Sequence, residues 1–320
     1  MAQAAAEVLG EAVPAPRWRS PLALAFRRLL RKKIAVAALL FIGVFYFVGV
    51  FVPWVAPKSY TDQNLDLVNK GPSLEHPFGT DPLGRDMLSR VMWASRTTVI
   101  VTVATLVTGG LVLSVGLGLL AGYAGRWVDT LIMRVGDVFF ALPGLPMLIM
   151  VNASLGNRVR GWGWLQAVQD WLHLPGFSDY VVIFGALSLF AWVGGARVIR
   201  SQVLALRETE YILAARAMGA STGRIIFRHL LPNVSNIIIV GLSAGLGGIA
   251  GTEIALTWFG VGVQPPTPSF GDMLFQGGFI RALQAHPHLL LVPGGVVAAL
   301  IFSFNLLGDA LNDVLTPRAR

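Results

Sequence analysis

Three acidic residues lie within or beside long apolar stretches, where a carboxylate could bind a proton or an ion. A charge inside an apolar span is costly and needs a partner or water. Asp137 follows Arg134 by three residues, so the two can pair on one helix. Glu253 has no basic residue within a helical turn, and two interpretations stay open: it faces the bundle interior or a water-filled path, or it pairs with a partner subunit. Asp309, four residues after Asn305, is expected to make a structural hydrogen bond.

Other patterns that could carry chemistry are missing from the sequence. It has no G-x-x-x-x-G-K-[ST] motif, so we do not expect this chain to bind ATP. Cys is absent, which excludes a disulfide framework and a thiolate metal site. The string G-T-D-P-L-G-R-D, from Gly79 to Asp86, lacks the repeated acids of a calcium loop. We therefore expect a non-catalytic chain without its own metal or cofactor.

The elements that must position the acids are membrane helices. Hydrophobic residues make up 54% of the chain and charged residues 13%, and the mean hydropathy of +0.65 is too high for an ordinary soluble domain. A membrane-spanning helix needs roughly 20 apolar residues. This length predicts an all-α membrane protein with six spans, at 34–57, 97–123, 131–154, 180–196, 233–257 and 289–309.

The distribution of charge predicts the orientation of these spans. If the N-terminus is cytoplasmic, 17 of the 25 Lys and Arg residues lie in or beside cytoplasmic segments. The outside segments then hold the other eight, balanced by eight acids, so the net charge of +8 belongs to the cytoplasmic side and the spans. This is the positive-inside pattern, and it explains the basic character of the chain without nucleic-acid binding. We expect both termini in the cytoplasm.

A charged stretch rich in small residues, 207–233, separates two apolar runs. Residues 203–218 contain no Pro or Gly and favour a helix. Gly219 follows at a C-cap position that needs positive φ, and Ser221 can cap a second helix over about 222–231, stopped by Pro232. Such a bent pair of slim helices suits docking into a groove of a partner.

This stretch resembles the cytoplasmic coupling loop of ABC-importer permeases, which reads E-A-A-x-x-x-G with Pro thirteen residues after the Gly. Leu213 stands where the family has Glu, and the nearest acids are Glu208 and Glu210. We call residues 203–232 the coupling loop. Ala214, Ala215, Gly219 and Pro232 fall on this pattern in register. Together with Glu210 and the capping Ser221 of the same loop, they are the residues expected to couple to an ATPase.

Three further strings resemble the dipeptide and oligopeptide branch of these permeases. They are G-T-D-P-L-G-R-D, then W-F-G-V-G-V-Q-P-P-T-P-S-F-G-D, and F-N-L-L-G-D-A-L-N-D-V-L-T-P-R near the end. Phe270, Asn312 and Thr316 replace a Trp, an Arg and an Asp of the branch. The resemblance covers about 34–318 and is interrupted at 156–179.

The resemblance implies a type I ABC importer permease fold in a bacterial or archaeal plasma membrane. It also implies four kinds of partner: a second permease subunit, two ATPase subunits that bind ATP and Mg, an extracytoplasmic substrate-binding protein, and the lipid bilayer. Peptides are the commonest cargo of the branch, which also carries metal chelates and sugars. The alternative is an ion-coupled secondary transporter, for which internal repeats and broken helices would be expected.

The predicted organisation of the chain follows from these spans. Cytoplasmic tails occupy 1–33 and 310–320, the first transmembrane helix 34–57, an extracytoplasmic segment with an amphipathic helix 58–96, and the five-helix core 97–309. The insert at 156–179 is rich in Trp. Two interpretations stay open for it: an interfacial segment at the lipid headgroups, or a contact for substrate or a delivery protein.

Overall fold

The computed structural model describes residues 29–172 and 174–315. The predicted N-terminal tail up to residue 28 and the last five residues, 316–320, therefore lie outside the described residues. Besides a short 3-10 helix, Leu65–Leu67, the principal helices of the described part are α1 Lys33–Val55, α2 Met87–Tyr123, α3 Arg126–Ala141, α4 Gly144–Arg160, α5 Gly163–Leu172, α6 Phe177–Leu206, α7 Glu210–Ala217, α8 Thr222–Trp258, α9 Phe270–Gly277, α10 Ile280–Ala285 and α11 His288–Leu315.

Five of these helices, α1, α2, α6, α8 and α11, are long and apolar enough to cross a membrane. The predicted third span, 131–154, is instead two helices, α3 and α4, which meet at 92°. The break falls at Leu142, whose backbone is extended with φ −85° and ψ 140°. Pro143 explains it, because the proline ring disfavours helical backbone in the preceding residue.

The broken pair α3–α4 still crosses the bundle, because it follows α6 along its length. Asp129 of α3 pairs with Arg200 near the C-terminal end of α6, and Arg160 of α4 pairs with Asp179 in its first turn, at 2.5 Å. The 21 residues between positions 179 and 200 rise about 32 Å in a helix, which is close to the thickness of the hydrocarbon core. The six predicted spans are confirmed, with the third one broken.

Several helix ends differ from the predicted spans. The amphipathic helix expected before the second span is the start of α2 itself, whose first turn is capped by Asp86 accepting from Ser89 N at 2.8 Å. Helix α11 continues to Leu315, six residues beyond the predicted end of the sixth span. An ion pair between Lys32 Nζ and Asp313 Oδ2, at 2.7 Å, joins this end to the start of α1.

The spans pack in several apolar clusters, two of which join most of the helices. One joins α1, α2, α8, α9 and α11 around residues such as Phe45, Phe270 and Phe304, and the other joins α2, α4, α6 and α8 around Ile183. Helices α2 and α6 approach closely where α2 carries glycine: a Cβ added at Gly122 would lie 2.6 Å from Val203 Cβ. Small residues permit such close contact between helices in membranes.

Candidate functional site

The coupling loop has the predicted bend. Helix α7 ends at Ala217, and Gly219 follows with φ +83°, the left-handed conformation that glycine adopts without strain. Ala220 N donates to Ala215 O at 3.0 Å and closes the end of the helix. Ser221 Oγ accepts from Arg224 N at 3.4 Å and caps the next helix. The conformations predicted for Gly219 and Ser221 are therefore confirmed.

Two other details of the loop prediction are wrong. The chain does not form one helix over 203–218, because α6 ends at Leu206 and α7 begins at Glu210. Pro232 also does not stop the second helix, since α8 runs without interruption from Thr222 to Trp258. A π-helical stretch, Ile226–Leu230, ends two residues before this proline. Its wider turns change the hydrogen-bond register where the proline lacks an N–H, and such local adjustment lets membrane helices tolerate proline.

Helix α7 has one anchored face and one open face. Ile212 and Ala215 are buried, and Ile212 packs in a cluster with Leu119 of α2 and Ile199 of α6. The opposite face is exposed to solvent and consists of small or apolar residues together with the acid of the first turn; its members include Glu210, Leu213, Ala214, Ala217 and Met218. Met218 is 82% exposed. This exposed face, with Gly219 beside it, is the candidate docking surface.

Asp137 pairs with a different residue from the one predicted. Its Oδ1 accepts from Arg197 NH2 of α6 at 2.7 Å, not from Arg134 on its own helix. The neighbouring Gly136 explains this pairing, because it lets α3 approach α6 closely. A Cβ added at Gly136 would lie 2.9 Å from Val193 Cγ1. The pair is more than a third exposed, so Asp137 is part of a helix–helix contact.

Glu253 lies in the interior of the bundle. Its side chain is completely buried, with Oε2 accepting from Thr98 Oγ1 of α2 at 2.9 Å and Oε1 from Thr257 Oγ1 at 3.4 Å. The second predicted alternative was an ion pair between Glu253 and a partner subunit. Complete burial within this chain leaves no surface of Glu253 for such a pair. A role in transport stays a prediction.

A cavity of about 620 Å³ lies between α2, α4, α6 and α8. Its walls are almost entirely apolar, with Ser114 and Thr252 as the hydroxyl-bearing residues. Glycines of α8, among them Gly245, leave room on one side of the cavity. Glu253 follows Thr252 directly but is not part of the wall. The cavity is large enough for a small organic ligand, and its neutral walls favour no particular charge.

Sequence reasoning missed a buried ion network on the opposite side of the bundle from the coupling loop. Asp81 Oδ2 accepts from Arg85 Nε and from Arg90 NH1, both at 2.6 Å, and Arg90 NH2 donates to Asp272 Oδ2 at 3.0 Å. Asp81 is fully buried and Arg90 is 2% exposed. The network ties the segment before α2 to α9. The sequence offered one signal of this network, which is the position of Arg90 close to the start of an apolar run.

The described residues form a bundle of membrane-spanning helices with an apolar cavity between four of them and an exposed loop face on one side, which is the architecture of an integral membrane protein. Residues 114–320 match the family described as the binding-protein-dependent transport system inner membrane component. Residues 20–72 match the N-terminal transmembrane domain of oligopeptide transport permease C. The chain belongs to the binding-protein-dependent transport family, which excludes the ion-coupled carrier even though one span is broken.

Curated relatives match over almost the whole chain. A dipeptide transport system permease protein of Alkalihalophilus pseudofirmus is 36% identical, over 94% of this chain and 91% of that protein. A glutathione transport system permease protein of Pectobacterium atrosepticum is 34% identical, over 94% and 93%. An oligopeptide transport system permease protein of Bacillus subtilis is 32% identical, over 92% and 89%. The resemblance seen in the sequence motifs is thereby confirmed.

Proposed function

We propose that this chain is one membrane subunit of an ATP-driven importer of di- or oligopeptides in a bacterial or archaeal plasma membrane. The observation that carries the proposal is the bend at Gly219, with the exposed face of α7 beside it. The peptide cargo is supported by the names of the relatives, which include dipeptide, oligopeptide and glutathione permeases. Both termini lie in the cytoplasm, as the distribution of Lys and Arg indicates.

The complete importer contains a second permease, two ATPase subunits that bind ATP and Mg, and an extracytoplasmic binding protein. The ATPase seats on the exposed face of α7, where small side chains permit close approach. The cavity between α2, α4, α6 and α8 is this chain's part of the translocation path. Identifying the ligand of the cognate binding protein tests the cargo: a sugar or a metal chelate would overturn the peptide assignment.

Force reaches the spans through the buried face of α7. Ile212 is fully buried against Leu119 of α2 and Ile199 of α6, and the same cluster includes Ile225 and Leu230 of α8. A close-packed interior transmits displacement instead of absorbing it. Movement of the ATPase therefore shifts the ends of α2, α6 and α8 together. These three helices also line the cavity, so the movement changes its access.

Substitution of Gly219 tests the coupling. Gly219→Val forces a β-branched residue to φ +83°, at a strain of about 1–3 kcal/mol. A Cβ at this position meets nothing within 4 Å in this chain, so the added side chain projects toward the docking partner. We expect normal insertion and pairing with the second permease, but weaker co-purification of the ATPase and loss of ATP hydrolysis stimulated by the binding protein.

Gly223→Val is the matched control. Gly223 lies in the same loop with equal space around its Cβ, but without positive φ. Its variant should retain ATPase binding and stimulated hydrolysis. If Gly219→Val also retains both, the coupling loop is not the element that joins this chain to the ATPase.

A further inference from the structure

The Trp-rich insert forms a short helix, α5, that no part of the proposed transport cycle uses. Trp162, Trp164 and Trp171 are 49%, 60% and 78% exposed. The rings of Trp162 and Trp164 stack with their centroids 6.0 Å apart. Large exposed aromatic groups that lie together mark a surface that contacts something other than water.

The faces of α5 are clearly divided. At 100° per residue, Trp164 and Trp171 lie within about 20° of each other around the helix axis. Leu165, about 100° away, is completely buried and fixes the helix against the protein. Gln166 and Asp170 lie on the remaining side and are exposed. The two indoles therefore lie on one side of a helix that the buried Leu165 holds against the protein.

The position of α5 is fixed relative to the membrane. Arg160 at the end of α4 pairs with Asp179 in the first turn of α6, at 2.5 Å, so two spans end at the same level. Only two residues separate α4 from α5, and they reach at most about 7 Å even when fully extended. The start of α5 is therefore held at the level where α4 and α6 end, which is the bilayer boundary on the side opposite the coupling loop.

We propose that α5 is an interfacial anchor, with the indoles of Trp164 and Trp171, and of Trp162 just before the helix, in the headgroup region of a zwitterionic lipid leaflet. Indoles favour this region because they combine an apolar body with one N–H donor. Helix α5 itself bears Asp170 and no Lys or Arg, so it adds no basic side chain of its own for anionic lipid. The anchor braces the junction of the broken third span with α6.

Spin labelling tests the proposal in the complete importer, because this chain contains no Cys. Trp164→Cys and, as the matched control on the polar side, Gln166→Cys are labelled with a nitroxide in phosphatidylcholine nanodiscs. Oxygen concentrates in the bilayer, whereas a nickel chelate stays in water. We expect the ratio of oxygen to nickel accessibility to be several-fold higher at position 164 than at position 166.

Equal ratios at the two positions, both dominated by nickel, would overturn the anchor. So would a label at position 164 that is water-accessible alone and becomes immobilised when the binding protein is added, because that result identifies a protein-docking surface. The accessibility ratio is measured independently of uptake, so it separates lipid contact from protein contact whether or not these variants transport peptide.

Discussion

Removing the charge of Asp81 should destabilise the side of the protein that lies opposite the coupling loop. The carboxylate accepts four hydrogen bonds: Oδ1 from Leu83 N at 2.8 Å and Arg85 N at 2.9 Å, and Oδ2 from Arg85 Nε and Arg90 NH1 at 2.6 Å each. In Asp81→Asn the amide oxygen can serve only one pair of donors, and the NH₂ group faces the other. Both arginines then lose their shared counter-charge.

The expected loss of stability depends on the counter-charge that Arg90 keeps in the variant. Breaking a buried ion pair costs about 3–5 kcal/mol. Asp272, at 3.0 Å and partly exposed, still compensates Arg90, so we expect the lower end of this range, about 3 kcal/mol. At about 2–4 °C per kcal/mol, the melting temperature of the purified permease pair should fall by about 6–12 °C.

The exposed Asp66 in the same segment provides the control. Asp66→Asn should change stability by no more than about 0.5 kcal/mol. If Asp81→Asn melts within a degree of the unmodified protein, the network does not hold the segment to the bundle. A double-mutant cycle with Arg90→Gln adds a second criterion, because residues in one network should deviate from additivity by about 0.5–3 kcal/mol.

Three further predictions concern topology and the path. Single cysteines at Ser73 and Met218, both exposed, should label from opposite sides of intact cells, with position 73 outside; same-side labelling would contradict the orientation. Glu253→Gln keeps an acceptor for its threonine partners, so assembly should persist while the uptake rate changes; loss of the permease pair would indicate a structural role instead. Gly245→Trp should fill the cavity and abolish uptake, whereas Gly43→Trp on the exposed side of α1 should not, and equal uptake by both would remove the cavity from the path.

The sequence was informative where local chemistry decides the structure. Span length follows from bilayer thickness, and the bend at Gly219 follows from the need for positive φ after a helix. Ser221 as a cap is a similarly local property, because its side chain bonds three residues ahead. These features depend on residues that are close together in the chain.

The wrong predictions are of two kinds. Some concern contacts between residues that are distant in the chain, and others concern positions where two local features favour different structures. Asp137 pairs with Arg197, sixty positions away, because Gly136 brings two helices together. Pro143 breaks a span, whereas Pro232 does not, since a π-helical stretch precedes the second proline. The partners of Arg90 come from two separate segments of the chain. No single-sequence pattern specifies such long-range pairings.

ATP dependence of uptake tests the central claim most directly. The permease pair, ATPase subunits and binding protein are reconstituted in proteoliposomes, with ATP and Mg on the coupling-loop side and labelled dipeptide on the other. We predict uptake that requires ATP hydrolysis and is unchanged by protonophores or sodium ionophores. Uptake that continues without ATP and collapses with an ionophore would contradict the assignment as an ATP-driven permease subunit.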